Sequence, residues 1–372
     1  MTPMAAIGRA GPFAITRRRA TALLGAVLLP GLPRAGAAAP LKVGFVYVSP
    51  LSDAGWTHQH EQGRLALQAR LGDRVVTQAV ENVREGPDAE RVVRDLAGQG
   101  HDLIFGTSFG YMEPMLRVAR QYPALRFEHA SGYKRLPNLA TYNARFHEGR
   151  YLAGMLAGAT TRSNRLGYVA ALPIPEVIQG INAFALGARL VNPAAEVRVI
   201  WTQRWFDPPR ERDAANTLID QRVDVLTHHT DSSTVALAAE QAGAWALPYH
   251  SDMRHIAPIR QLAAVTHHWG EYYIARTLAL LQGDWRSTDT MGGLADGMVR
   301  IGGIAESVPA VIRERIDASR QAIASGVLNP FAGPITDNAG QVRVTRGQSI
   351  RPQDLHTMDW FVQGVRGKPP TK

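Results

Sequence analysis

The sequence predicts an α/β protein of two lobes, each built on a doubly wound parallel sheet, and three observations predict it. Its 372 residues exceed one average domain and suit two lobes of about 120 to 180 residues each. After Leu41, apolar β-type runs alternate with helical stripes across short turns, the rhythm of parallel β-α-β units. The segment Ala140 to Glu148, a strand-like ATYNARF running into a helix at His147, interrupts that rhythm and divides it into two similar halves.

The first 39 residues are set apart from this pattern. Arg17, Arg18 and Arg19 precede an apolar run to Leu32 and small residues at Ala35 to Ala39, the three parts of a secretory signal, with adjacent arginines resembling a twin-arginine type. Pro30, Gly31 and Pro33 make the apolar run too short and broken to span a bilayer. Strands are expected over Leu41 to Val48, Val75 to Val80, Asp102 to Thr107, Leu125 to Ala130, Leu166 to Leu172, Val197 to Thr202, Val223 to His229 and Ala244 to Tyr249. Between them, Ala89, Val92, Val93 and Leu96 form a stripe at helical spacing over Asp88 to Gly98, and Glu176 to Leu190 is a helix that begins after two prolines. A further helix is expected over Pro309 to Leu328, then a Gly- and Pro-rich hairpin-like stretch, then Met358 to Val365. Chain crossings between lobes are expected at Ala140 to Glu148, near Ser251 and near Ile301 to Ile304. One lobe then takes 40–146 with about 252–300, and the other 147–251 with about 301–372.

Composition narrows the function classes. The formal charge of +9 rests largely on Arg9, Arg17, Arg18, Arg19 and Arg34; without that segment, which has no Asp or Glu, 36 basic residues face 32 acidic ones. Such a surplus over more than 300 residues is a solvated surface, with no basic arm for nucleic acid. The absence of cysteine excludes thiol catalysis, disulfides and a lipidated cysteine after the signal. The histidine pairs His58/His60, His228/His229 and His267/His268 are one or two positions apart, so neither helix nor strand aims both rings at one ion. No G-x-G-x-x-G, P-loop or G-x-S-x-G elbow is present, so no metal, dinucleotide cofactor or catalytic group is expected.

In open parallel sheets, ligands collect at the carboxyl ends of the strands. The turns that follow the expected strands carry Asp53 and Trp56, Phe109 and Tyr111, Glu176, Trp205 and Asp207, Asp231, and His250 and Asp252. Trp56 and Trp205 begin equivalent turns of the two halves and are expected as opposing walls of one cleft. Aromatic faces with carboxylates suit a flat heteroaromatic ligand better than an amino acid or a sugar. Asp53 is read first as a cap of the following helix, and Glu148 also fits a charge favoured at a helix N-terminus.

The segments LKVGFVYVSPLSDAGWTHQHEQG, DLIFGTSFGYMEP, FHEGRYLAGMLAGATTRSNRLGYVAALPIPEVIQGINAFALGA, WTQRWFDPPRERDAA, and HTDSS followed by HSDM together resemble the basic membrane protein family of ABC-transporter substrate-binding proteins, over about residues 41 to 365. The resemblance implies the type I periplasmic binding fold, two lobes joined by three crossovers, and a purine nucleobase or nucleoside in the cleft. It also implies a monomer that partners a membrane permease and its ATPase in the periplasm. It assigns stacking to Trp56 and Trp205, the first-lobe cleft loop to Phe109 and Tyr111, and polar contacts to Glu148, Asp231 and Asp252. His250 stands where family members often carry an acidic residue, which favours a free base such as adenine over a nucleoside. The rivals are a ligand-sensing receptor module of the same fold and an exported hydrolase, for which only the neighbours His250, Ser251 and Asp252 offer a hint.

Overall fold

Strand β1 (Leu41–Val46) opens a computed structural model that describes residues 39–370. The expected export signal falls outside the described residues, Ala39 excepted. The chain continues through α1 (Trp56–Leu71), β2 (Val75–Val80), α2 (Pro87–Gly98), β3 (Leu103–Gly106), α3 (Met112–Gln121), β4 (Arg126–Ala130) and β5 (Leu139–Ala144). Then come α4 (Phe146–Thr160), β6 (Arg165–Ala170), α5 (Pro175–Val191), β7 (Glu196–Trp201), α6 (Pro208–Asp220), β8 (Val225–His229), α7 (Thr234–Ala242) and β9 (Trp245–Leu247). The remainder is β10 (Tyr249–His250), β11 (Ala264–His267), α8 (Gly270–Leu281), β12 (Asp289–Gly292), β13 (Val299–Gly302), α9 (Ala310–Ala324), a hairpin of β14 (Ile335–Thr336) and β15 (Val342–Val344), and α10 (Pro352–Leu355).

Local chemistry explains the helix starts. Prolines occupy the first helical position of α2, α5 and α6, where no backbone N–H is needed. Asp207 caps α6 by accepting from the Arg210 N–H. The expected stripe of α2 is buried, and the buried positions of α4 extend almost all round it, as befits a helix covered on every side.

Two parallel sheets form the two lobes. The first has the strand order β12-β5-β4-β3-β1-β2 and the second β7-β6-β8-β9, every neighbouring pair parallel. All eight expected strands form, with ends moved by a residue or two, except that the last is cut at Pro248. Proline has no N–H to give a ladder, and there the chain passes from β9 in the second sheet to β10 in a small third sheet of order β10-β11-β13. After Ser251 the chain returns to the second sheet: Met253 and Ala257 enter its apolar cluster and Ala246 bridges Gln261. It leaves that sheet only after Leu262. Strand β12 was not legible as a strand in the sequence; it extends the first sheet from far along the chain. Buried Glu128 on β4 holds this returning segment, accepting from Tyr272 Oη at 2.6 Å and Trp285 Nε1 at 2.7 Å and pairing with Arg276 at 2.5 Å.

One apolar cluster runs through both lobes, from Phe45 and Phe105 by way of Leu152 and Phe184 to Tyr249 and Val265. Within it α4 lies tight on α5. A Cβ on Gly154 would stand 2.0 Å from the Phe184 carbonyl oxygen, and one on Gly187 2.0 Å from that of Tyr151, so only glycine lets the two backbones meet.

Candidate functional site

Helix α1 points its N-terminus at the second lobe. Gly55, at φ 100°, turns the chain into the helix, and a Cβ there would lie 2.4 Å from Asp231 Oδ1. Asp231, at the end of β8, reaches across from the other lobe and accepts from the Thr57 N–H at 3.0 Å and the Thr57 hydroxyl at 2.7 Å. Ser251 reinforces the contact: its Oγ accepts from the Gly55 N–H at 2.9 Å and from Gln59 Nε2 at 3.0 Å. Burial pushes the Asp231 carboxyl up to about 7, against the pull of the Thr57 hydrogen bonds. The two lobes are therefore closed on each other through the positive end of α1.

Behind this clasp lies a narrow cavity of about 30 Å³. Trp56 from the first lobe and Trp205 from the second both line it. Neither indole offers its N–H to the cavity. Trp56 Nε1 donates to the Thr107 carbonyl at 2.7 Å and Trp205 Nε1 to Glu85 Oε1 at 3.1 Å, which leaves ring surface as what they present. Trp56 is held edge-on by His60, Phe146, His250 and Trp269, with ring centroids 4.2 to 6.0 Å away. The polar wall combines Asp231, Glu176 and the imidazoles of His229 and His250 with hydroxyls such as Ser108 and Ser131. Desolvation raises the carboxyl of Glu176, which accepts from Asn143 Nδ2 at 2.8 Å, and drives both imidazoles well below the usual histidine range. A second, wider cavity of about 530 Å³ adjoins the first and shares Phe109, Ser131 and Glu176 with it.

Of the seven residues singled out in the sequence, Trp56, Phe109, Trp205 and Asp231 line the inner cavity. Tyr111 does not: it is fully buried, its hydroxyl donating to the Val83 carbonyl at 2.5 Å. Glu148 lines only the wider cavity and spends its carboxylate on Arg145 at 2.6 Å and the Leu294 N–H at 2.7 Å. Asp252 is partly exposed, pairs with Arg254 at 2.6 Å and accepts from Gln261 at 2.9 Å, away from both cavities. The sequence reading missed Glu85. Its Oε1 accepts from Ser108 Oγ at 2.6 Å, the Gly110 N–H at 3.0 Å and Trp205, joining the first-lobe cleft loop to the second-lobe indole. Glu85 also lies in a strand-to-helix turn, just before Pro87, so the rule that found the others would have reached it.

Two parallel-sheet lobes closed over a cavity, with facing side chains from each, define a solute-binding protein of the periplasmic-binding type. The chain belongs to the ABC transporter substrate-binding protein PnrA-like family, whose pattern matches residues 41–330. It is 46% identical over 330 residues to a purine-binding protein of Brucella abortus, covering 89% of this chain and 94% of that one. It is 37% identical over 327 residues, 88% of this chain and 81% of the other, to a Haloferax volcanii protein provisionally named an ABC transporter glucose-binding protein. Its fold matches that of a solute-binding protein of an ABC transporter system from Aeropyrum pernix at a TM-score of 0.69 and 18% identity, over 79% of this chain and 94% of the other. The family is one of substrate-binding proteins rather than enzymes. Among the described residues no helix is long and apolar enough to cross a membrane.

Proposed function

We propose that this chain is the exported, unlipidated binding component of an ABC importer, a periplasmic monomer that captures a purine base, adenine-like in preference, between its lobes. The observation that carries the reading is the pair of indoles from separate lobes whose N–H groups are already committed to protein. They present flat apolar faces, beside carboxylates and neutral imidazoles suited to the N–H groups and ring nitrogens of a purine edge. The Brucella relative named purine-binding, nearly half identical over most of both chains, supports it. In this reading the moving bodies are residues 40–145 with about 263–300, and 146–262 with about 301–370. Ligand shifts them toward the closed arrangement held by Asp231 on Thr57. The closed form then docks on the permease.

The relative named glucose-binding supplies the competing ligand, since an indole face also packs on a sugar ring. Calorimetry on the mature protein with adenine, guanine, hypoxanthine, their nucleosides and glucose decides between them. Heat and a rise in melting temperature with the bases support the purine reading; a response to glucose alone replaces it.

A further inference from the structure

His250 and His267 meet through their Nδ1 atoms, 2.9 Å apart. Both rings are buried, at 3% and 0% exposure. Among the described residues neither ring hydrogen-bonds to a carboxylate, and Glu176 and Asp231, which share the cavity wall with His250, are themselves raised toward the neutral acid by burial. The fully buried Arg150 guanidinium lies 3.2 Å over the ring of Tyr249, which packs on both histidines, and donates only to the Thr227 hydroxyl and the His228 carbonyl. Burial, with that cation beside them, drives both imidazoles well below the ordinary range. The pair is neutral.

Two neutral imidazoles joined Nδ1 to Nδ1 share one hydrogen. If His267 donates, His250 carries its own hydrogen on Nε2; if His250 donates, its Nε2 is a bare lone pair and His267 holds the other hydrogen on Nε2. A histidine tautomer is ordinarily fixed by the hydrogen bond that the second nitrogen makes. Here Nε2 of His267 is buried with no partner, and Nε2 of His250 has none among the described residues although the residue lines the cavity. The protein leaves the choice open. His250 also sits at φ 71°, a left-handed conformation unusual for a side chain of this size, in keeping with a ring held at a functional position.

We propose that the ligand makes the choice: His250 offers either a donor or an acceptor at Nε2 to the cavity, so that 6-amino and 6-oxo purines, whose edges exchange donor for acceptor, are both received there. This rests on the purine reading above. A 6-amino base carries an N–H donor at position 6 where a 6-oxo base carries an acceptor. Changing tautomer moves the shared hydrogen between the two Nδ1 atoms, removes one from Nε2 of His250 and adds one to Nε2 of His267. The balance is zero, and water carries the exchange as the cleft opens.

The test is a two-bond hydrogen–nitrogen correlation spectrum of the mature protein, labelled with 15N at histidine and saturated in turn with adenine and hypoxanthine. The expected result is that the Nδ1 and Nε2 signals of His250 exchange character between the two complexes, and that the two affinities lie within about tenfold of each other. The same tautomer in both complexes overturns the proposal. In addition, His267→Phe keeps an aromatic ring but removes the shared hydrogen, and is expected to change the adenine-to-hypoxanthine affinity ratio by about tenfold or more, the value of one discriminating hydrogen bond. An unchanged ratio also overturns it. If neither base binds the unaltered protein, the purine reading and this inference fall together, whereas tight binding of both with one fixed tautomer removes only the inference.

Discussion

At the scale of single residues, the site separates groups that present surface from groups that hold the lobes shut. Trp56 belongs to the first kind. Replacing it by Ala is expected to weaken purine binding by about 1 to 3 kcal/mol, the usual range for a stacked base, and titration calorimetry would show it. An unchanged affinity would remove the indole from the site. Asp231 belongs to the second kind, and its chemistry makes a pH prediction. Its carboxyl titrates at about 7 when buried against Thr57, above the usual 3.8. Closing therefore favours the protonated acid, so this contribution is complete at low pH and is lost as pH rises through 7. Affinity in the unaltered protein is expected to fall from pH 6 to pH 8, with a shallower fall in Asp231→Asn; equal slopes would refute the assignment. That Asp231 and Asp252 part company was not legible in the sequence. Both follow strands in similar turns, yet Arg254 lies two residues from Asp252 and claims it, whereas the partner of Asp231 is Thr57, remote in sequence.

At the scale of elements, the contact of α4 with α5 is the tightest dependence on sequence. Gly154→Val puts side-chain atoms into the Phe184 carbonyl and forces the helices apart. The expected cost is about 1 to 3 kcal/mol of stability, visible as a lower urea midpoint, and a variant as stable as the original would contradict the packing described. The strands of both large sheets were largely legible, because alternation of apolar runs with helical stripes follows from burying both sheet faces. The strands that escaped, β11, β12 and β13, are four residues each; β12 pairs with β5, far back in the chain, and β13 with β11 across α8 and β12. Nothing local announces such a strand. Glu148 shows the same limit: its place at the start of α4 was visible, but the Leu294 N–H it accepts from comes from the distant loop after β12.

At the scale of the whole molecule, the buried histidines dominate the response to acid. His60, His129, His228, His229, His250 and His267 are all buried with imidazoles driven down by desolvation, His129 to about 4 and His228 to about 3. Unfolding releases each to titrate near 6.5, so the unfolded chain binds more protons as the pH drops below that value. Stability then declines as pH falls from about 6.5 toward 4, by about 1.4 kcal/mol per pH unit for each net proton taken up. Asp231, Glu128, Glu176 and Glu211 work in the opposite direction, their carboxyls raised by burial, but they are fewer. The urea midpoint is expected to drop between pH 7 and pH 5; a rise over that interval would show that the acids outweigh the imidazoles.

The small sheet has a mechanical consequence. Two of the three passages between the lobes, β11 and β13, are laddered to each other as an antiparallel ribbon, and Gly149 of α4, which begins just past the remaining passage, lies against Val265 and Val299 of that ribbon. Linkers bonded in this way are expected to move together, which would give the lobes a single axis of swing. Trapping should then register in stopped-flow fluorescence of the tryptophans as one exponential relaxation, the signature of a door on one pin rather than a jaw on three loose threads.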